Sequence, residues 1–213
     1  MKHLKSTLLG LCLLALNSCI TPKEPSDQQL HSFESQKTLV IPPICDNSKF
    51  AQIIGRSLTN SLTREIATDV RYAGDIPQLT PILSKSNLMS NGQTDIAEIS
   101  RIASAIKANE VVTIRITSMT VYPPQSMSAL VIMTTFTGDK YKNRISNINL
   151  NMKDHEHKKE LAEFVRGTVT GPLGDRFIKK TNVNLEAALL SNDLFLKYAG
   201  HKIAKSVLFM KKY

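Results

Sequence analysis

The chain has 213 residues, with 27 lysines and arginines against 18 acids and a formal charge of +9. At 42% hydrophobic and 21% charged it has a globular composition, neither disordered nor collagen-like, and its length suits one domain or a small pair. Three cysteines exclude a disulfide scaffold, and no apolar run after the N-terminus reaches the ~18–20 residues of a membrane-spanning helix.

Met1 to Lys5 carries Lys2 and Lys5 and no acid, and Leu8 to Leu16 then reads LLGLCLLAL. A basic start, a short apolar stretch and a small-residue end define a secretory signal peptide over residues 1–18. Its loss would take Lys2 and Lys5 with it and lower the charge from +9 to +7. The segment closes as Leu16-Asn17-Ser18-Cys19, which resembles the bacterial lipobox. The resemblance implies diacylglycerol on the Cys19 sulfur, cleavage before Cys19 and acylation of the new N-terminus. Asn17 departs from the small apolar residues commoner at its position. An ordinary signal peptide with an incidental cysteine is the competing reading. Each buried methylene contributes ~0.8 kcal/mol, so two or more acyl chains hold a protein to a membrane stably. Ile20 follows the cysteine, where Asp is the usual inner-membrane retention residue in enteric-type bacteria; the implied place is the periplasmic face of an outer membrane.

With Cys12 in the signal and Cys19 lipidated, Cys45 is left as a thiol in an oxidising compartment. A buried core cysteine is the expectation there, and an intermolecular disulfide the alternative.

Residues 19–37 read as an anchor and a polar tether with two prolines and no periodicity. Residues 38–213 read as a single α/β (α+β) domain. The first strand is expected over Thr38 to Ile44, limited by Pro42 and Pro43. Phe50, Ile54, Leu58, Leu62 and Ile66 recur every four residues and predict an amphipathic helix over 48–68. A short strand follows at Val70 to Ala73, with a turn at Gly74-Asp75. Residues 75–93 are irregular, with a short helical turn near Ile82 and Leu83 and a loop at Asn91-Gly92. Thr94 or Asp95 starts a second helix through Ile96, Ile99, Ile102 and Ile106.

Glu110 to Tyr122 is rich in β-branched residues, with Val112, Ile114 and Ile116 alternating with Thr113, Arg115 and Thr117. Strands over Met127 to Thr137 and Arg144 to Met152 follow, the last with a suspected bulge. Short turns between them predict an antiparallel meander within a central mixed sheet packed by amphipathic helices. Lys153 to Arg166 is expected to be helical, Gly167 to Asn184 irregular, and a last helix is capped at Asn192 or Asp193 with Leu194, Tyr198, Ile203 and Val207 inward.

This order, with the phrase IKANEVVTIRI leading into the third strand, resembles periplasmic α/β lipoprotein domains over about residues 38–152. They include the curli secretion-channel lipoprotein, penicillin-binding-protein activator lipoproteins and the N-terminal domain of TolB. Val121-Tyr122-Pro123-Pro124 before a strand is likewise similar to uncharacterised lipoproteins with a YPP turn. The resemblance implies binding and assembly work without catalysis, and it carries over no site residues.

No GxSxG elbow, Walker motif or dinucleotide fingerprint occurs, and no cofactor is expected; Gly167, Gly171 and Gly174 read as a loop. His155 and His157 flank Glu156, but residues two apart diverge on a helix, so a solvated face is the expectation and no metal site is assigned. After Asp193 there is no acid, while Lys197, Lys202, Lys205, Lys211 and Lys212 are basic. They are candidates for contact with an anionic surface such as lipid headgroups or acidic cell-wall polymer. Charge complementarity to a helix C-terminus is the simpler role. Export argues against nucleic acid despite a pI near 9.5. The partners expected are the membrane through Cys19 and an envelope protein, with self-association open. The function expected is a non-catalytic binding or assembly accessory of an envelope complex. The alternative is a small periplasmic hydrolase whose site is assembled from scattered residues.

Overall fold

The computed structural model describes residues 37–66, 68–84, 88–90, 93–138, 140–169 and 190–212, all within one compact unit, Ser35–Tyr213. Cys19, the tether up to residue 36, the Asn91-Gly92 loop and residues 170–189 lie outside the described residues.

A mixed five-stranded sheet carries the domain, in the order β2-β1-β5-β6-β7. β1 (Lys37–Val40) is parallel both to β2 (Asp69–Tyr72) and to β5 (Glu110–Thr120). β6 (Ser126–Thr137) is antiparallel to β5, and β7 (Lys140–Asn151) is antiparallel to β6. The sheet as a whole is therefore mixed and is not an antiparallel meander. β3 (Met89–Ser90) and β4 (Gln93–Thr94) make a separate two-stranded pair.

The expected first strand is cut at Val40. Ile41 and Ile44 continue toward β5, their N–H groups donating to the Val112 and Ile114 carbonyls at 3.0 and 2.8 Å. Pro42 and Pro43 have no N–H to donate, so the ladder is interrupted there.

α1 (Ser48–Glu65) is held at its start by Asn47, whose side chain accepts from the Lys49 and Phe50 N–H groups. Its four-residue stripe works as read: Ile54, Leu58 and Leu62 are fully buried against the sheet, with Phe50, Ile53 and Ile66 at the margin. α2 (Thr80–Leu83) is a single turn, preceded by 3-10 turns at Ala73–Asp75 and Pro77–Leu79. α3 (Ile96–Ile106) starts on Asp95, which accepts from the Glu98 N–H, and buries Ile99, Ile102 and Ala103. It covers the face opposite α1, with Leu39, Ile41 and Val111.

β5 departs from its expected alternation. Val111, Val112, Thr113 and Ile114 are all buried, because the strand is third of five and both its faces are covered at that end. The irregularity expected in β7 lies instead in β5, between Ile116 and Ser118; β6 and β7 pair without interruption over twelve residues. β7 also begins at Lys140, ahead of the expected Arg144.

α4 (His155–Val169) follows β7, and α5 (Asn192–Lys212) closes the domain. α5 packs on α1 at a close crossing. A Cβ on Gly200 would lie 2.6 Å from the Ile54 carbonyl oxygen and 2.9 Å from the Leu58 nitrogen. Ser57 Oγ donates to the Lys197 carbonyl at 2.6 Å beside it. Ser57–Lys197 and Ser61–His201 both make contact, so the two helices run parallel.

Candidate functional site

α1, α4 and α5 enclose a cleft of about 380 Å³ on the helical side of the sheet. Residues three and four apart share a helix face, so Tyr198, His201 and Lys202 of α5 reach it together, as do Glu160 and Phe164 of α4. α1 contributes Ser61, Arg64 and Glu65.

Glu160 is the hub. Tyr198 donates its hydroxyl proton to Glu160 Oε2 at 2.6 Å, and Lys202 Nζ donates to the same oxygen at 2.8 Å. Burial opposes ionisation of Glu160, but the hydrogen bonds from Lys202 and Tyr198 outweigh it and hold its carboxyl below the usual range. Burial first, and then the hydrogen bond to Glu160, push the Tyr198 phenol far up, so it remains a donor. Phe164 lies with its ring centroid 5.8 Å from that of Tyr198 and 5.1 Å from that of His201. Burial, followed by the nearby Lys205 charge, lowers the His201 pKa and favours the neutral ring at pH 7.

His201 Nδ1 lies 3.4 Å from Ser61 Oγ. By residue type this is a nucleophile and a base. Ser61, however, sits inside α1, where amide groups are committed to helix carbonyls and offer no pair of donors to a developing oxyanion. The cleft is better suited to holding a polar ligand between Glu160 and the rim cations than to acyl transfer.

A second, more apolar cleft of about 330 Å³ lies at the carboxyl end of β1, lined by Pro42, Pro43, Cys45 and Tyr72 among others. Open α/β sheets bind ligands at such a point, where the chain leaves one strand toward opposite sides. Here Asn47 already occupies the Lys49 and Phe50 N–H groups that an anion would use. Cys45 is half-buried, not a core residue, and its thiol donates to the Asn47 carbonyl at 3.1 Å. Tyr72 is pushed up to about 12, first by burial and then by Asp75.

The five C-terminal lysines do not form one patch. Lys197 pairs with Asp193 at 2.6 Å and Lys202 with Glu160 at 2.8 Å. Lys211 turns inward to Glu110 and donates to Thr38 Oγ1 at 3.1 Å. Lys205 and Lys212 are exposed. His155 and His157 lie in the first turn of α4, and the His157 ring contacts the backbone of Asn151. No group of three or more metal-ligating side chains gathers among the described residues.

Sequence reading picks out Tyr198 and Lys202 one by one but not their meeting with Glu160 and Phe164. The only signal was helical spacing, since Glu160 and Tyr198 are 38 residues apart.

No protein-family model and no curated protein matches the chain. Among solved structures it is similar to lipoprotein GNA1162 from Neisseria meningitidis, at 16% identity and a TM-score of 0.38, over 64% of this chain and 98% of that one. It is also similar to a PelC dodecamer from Paraburkholderia phytofirmans, at 9% identity and a TM-score of 0.36, over 56% of this chain and 76% of that one. At these TM-scores the function rests on the chain's own residues.

Proposed function

We propose that the chain is a lipid-anchored, non-catalytic binding and assembly module of a bacterial envelope, held to the periplasmic face of an outer membrane. The observation that carries it is Leu16-Asn17-Ser18-Cys19 placed directly after a basic start and a short apolar run. Residues 20–36 then lead to a folded domain that begins with β1 at Lys37. A coil of that many residues would span ~21–25 Å, which would keep the domain beside its membrane. The partner is an envelope protein, and the cleft around Glu160 is the recess offered to it.

The Ser61–His201 contact favours a second reading, a small periplasmic hydrolase. Metabolic labelling tests the anchor, and a partner search with a turnover assay separates the readings. Metabolic palmitate labelling should be lost on Cys19→Ala, and labelling that persists sinks the anchor. Crosslinking and affinity purification of the mature protein should recover an envelope partner. Turnover of an ester or peptidoglycan substrate that Ser61→Ala abolishes, with no partner recovered, decides for the hydrolase.

A further inference from the structure

We infer that the end of the domain where the tether enters is a membrane-facing surface that docks on anionic phospholipid headgroups. The inference rests on the anchor at Cys19 proposed above.

Strand register places the groups. Lys37 opens β1, and Thr38, Glu110, Thr135 and Lys142 form one row across the sheet. β7 runs parallel to β5, so Lys140 and Lys142 lie at the same end as Lys37. Lys107, the C-cap of α3, is there too, since the Asn109 N–H donates to the Lys37 carbonyl at 3.0 Å. α5 ends there as well, with Lys211 bonded to Thr38 and Lys212 exposed beyond it. Lys107, Lys140, Lys142 and Lys212 are exposed, and none has an ion-pair partner among the described residues.

Two acids at this end are already paired. Glu110 is paired with Lys211, and Asp69 with Arg71 at 2.9 Å. Glu65 remains exposed, next to Arg64, with the exposed Glu163 on the same cleft, and sequence places Asp139 before Lys140. The opposite end is balanced, with Asp46 and Asp154 beside Lys49 and Lys153.

Two exposed aromatics accompany the lysines. Tyr141, 54% exposed, stands between Lys140 and Lys142; Phe209, 64% exposed, shares a helix stripe with Lys205 and Lys212. Exposed rings among lysines suit the headgroup layer, where the ring enters the interface and the ammonium meets phosphate.

Geometry selects this end. β5 rises ~3.3 Å per residue, so the far end of the sheet stands roughly 30 Å farther from the tether's entry. Headgroup charge is felt within a Debye length of ~8 Å, and the end that the tether enters reaches that layer with the least extension of the tether, so residues at that end profit most. The basic surface thus combines lipid anchor and charge, the two signals that make membrane association stable.

The test uses the mature protein reconstituted through its lipid into vesicles of phosphatidylcholine alone, or of equal parts phosphatidylcholine and phosphatidylglycerol. Lysine modification by an amine-reactive reagent is followed residue by residue. Lys140, Lys142 and Lys212 should react about fivefold or more slowly on the anionic vesicles. Lys49 and Lys153 should react equally on both. Salt at high concentration, or Lys107→Glu with Lys140→Glu and Lys142→Glu, should abolish the difference at Lys212. Equal rates at both ends, or protection that survives charge reversal, overturns the proposal. Capture of the protein on purified cell-wall sacculi with no vesicle response overturns it in favour of an acidic polymer. If the chain proves not to be lipidated, flotation of the unlipidated protein with the anionic vesicles decides: loss in the charge-reversed variant supports the surface, and no flotation refutes it.

Discussion

Sequence groups Lys211 with the surface lysines, yet its side chain is 16% exposed and it faces a Glu110 side chain that is 10% exposed. Thr38 adds a hydrogen bond to Glu110 Oε2 at 2.7 Å. A buried pair of this kind is costly to break from one side, because the remaining charge loses its partner without regaining water. Lys211→Met is therefore expected to cost about 3 kcal/mol in urea unfolding. Lys211→Met with Glu110→Leu should recover most of that loss. His201 gives a prediction of opposite character. Its folded pKa is lowered, so the unfolded chain binds more protons and stability falls as pH drops below the ordinary value of about 6.5 and through the folded value. His201→Gln should flatten the stability curve in that window. The acid loss linked to Glu160 should remain in the variant, since its lowered carboxyl pKa places that loss below the usual carboxylate range of about 4.3. A His201→Gln curve that tracks the parent between about pH 7 and 5 would refute the assignment.

Among the elements, α1 and α5 decide whether the domain closes. Gly200 lets α5 approach the α1 backbone at the turn that includes Ile54 and Leu58, and a methyl group there has no flexible neighbour to displace. Gly200→Ala gains helix propensity of roughly 1 kcal/mol but must part the two helices, at about 2–3 kcal/mol or more. A net fall in melting temperature is expected, with cleft geometry disturbed through Ser61 and His201. A rise would mean that the crossing relaxes freely. The same elements show what sequence can carry. The stripe Ile54, Leu58 and Leu62 was legible because helical periodicity is local. Thr113 alternates in sequence with the apolar Val112 and Ile114 yet is fully buried, because the cover on its face is supplied by distant chain. Sequence suggests an irregularity in β7, whereas the break lies between Ile116 and Ser118 of β5, for the same reason: register belongs to a pair of strands, and one strand's pattern does not show it. The cleft was illegible because Glu160, Tyr198 and Ser61 come from three helices that only the tertiary packing brings together.

On the scale of the whole molecule, β7 poses a problem that its lysines answer. Among the described residues it is a twelve-residue edge strand, long enough to template pairing with a second copy. Its helix-side positions at one end are Lys140, Lys142 and Arg144, and the outward positions include Tyr141 and Ile145, which is 62% exposed. Charge on an edge opposes association of copies, and the same charge at the tethered end attracts anionic lipid. The two effects differ in their response to sign. Replacing Lys140, Lys142 and Arg144 by Thr removes the charge and raises β propensity, so light scattering should show concentration-dependent oligomers. Replacing the three by Glu keeps a repulsive edge, so the protein should stay monodisperse while losing its protection on anionic vesicles. Monodisperse Thr variants would show that the lysines do not guard the edge. Association of the Glu variants would show that positive charge at this edge acts through a specific contact and not through repulsion alone.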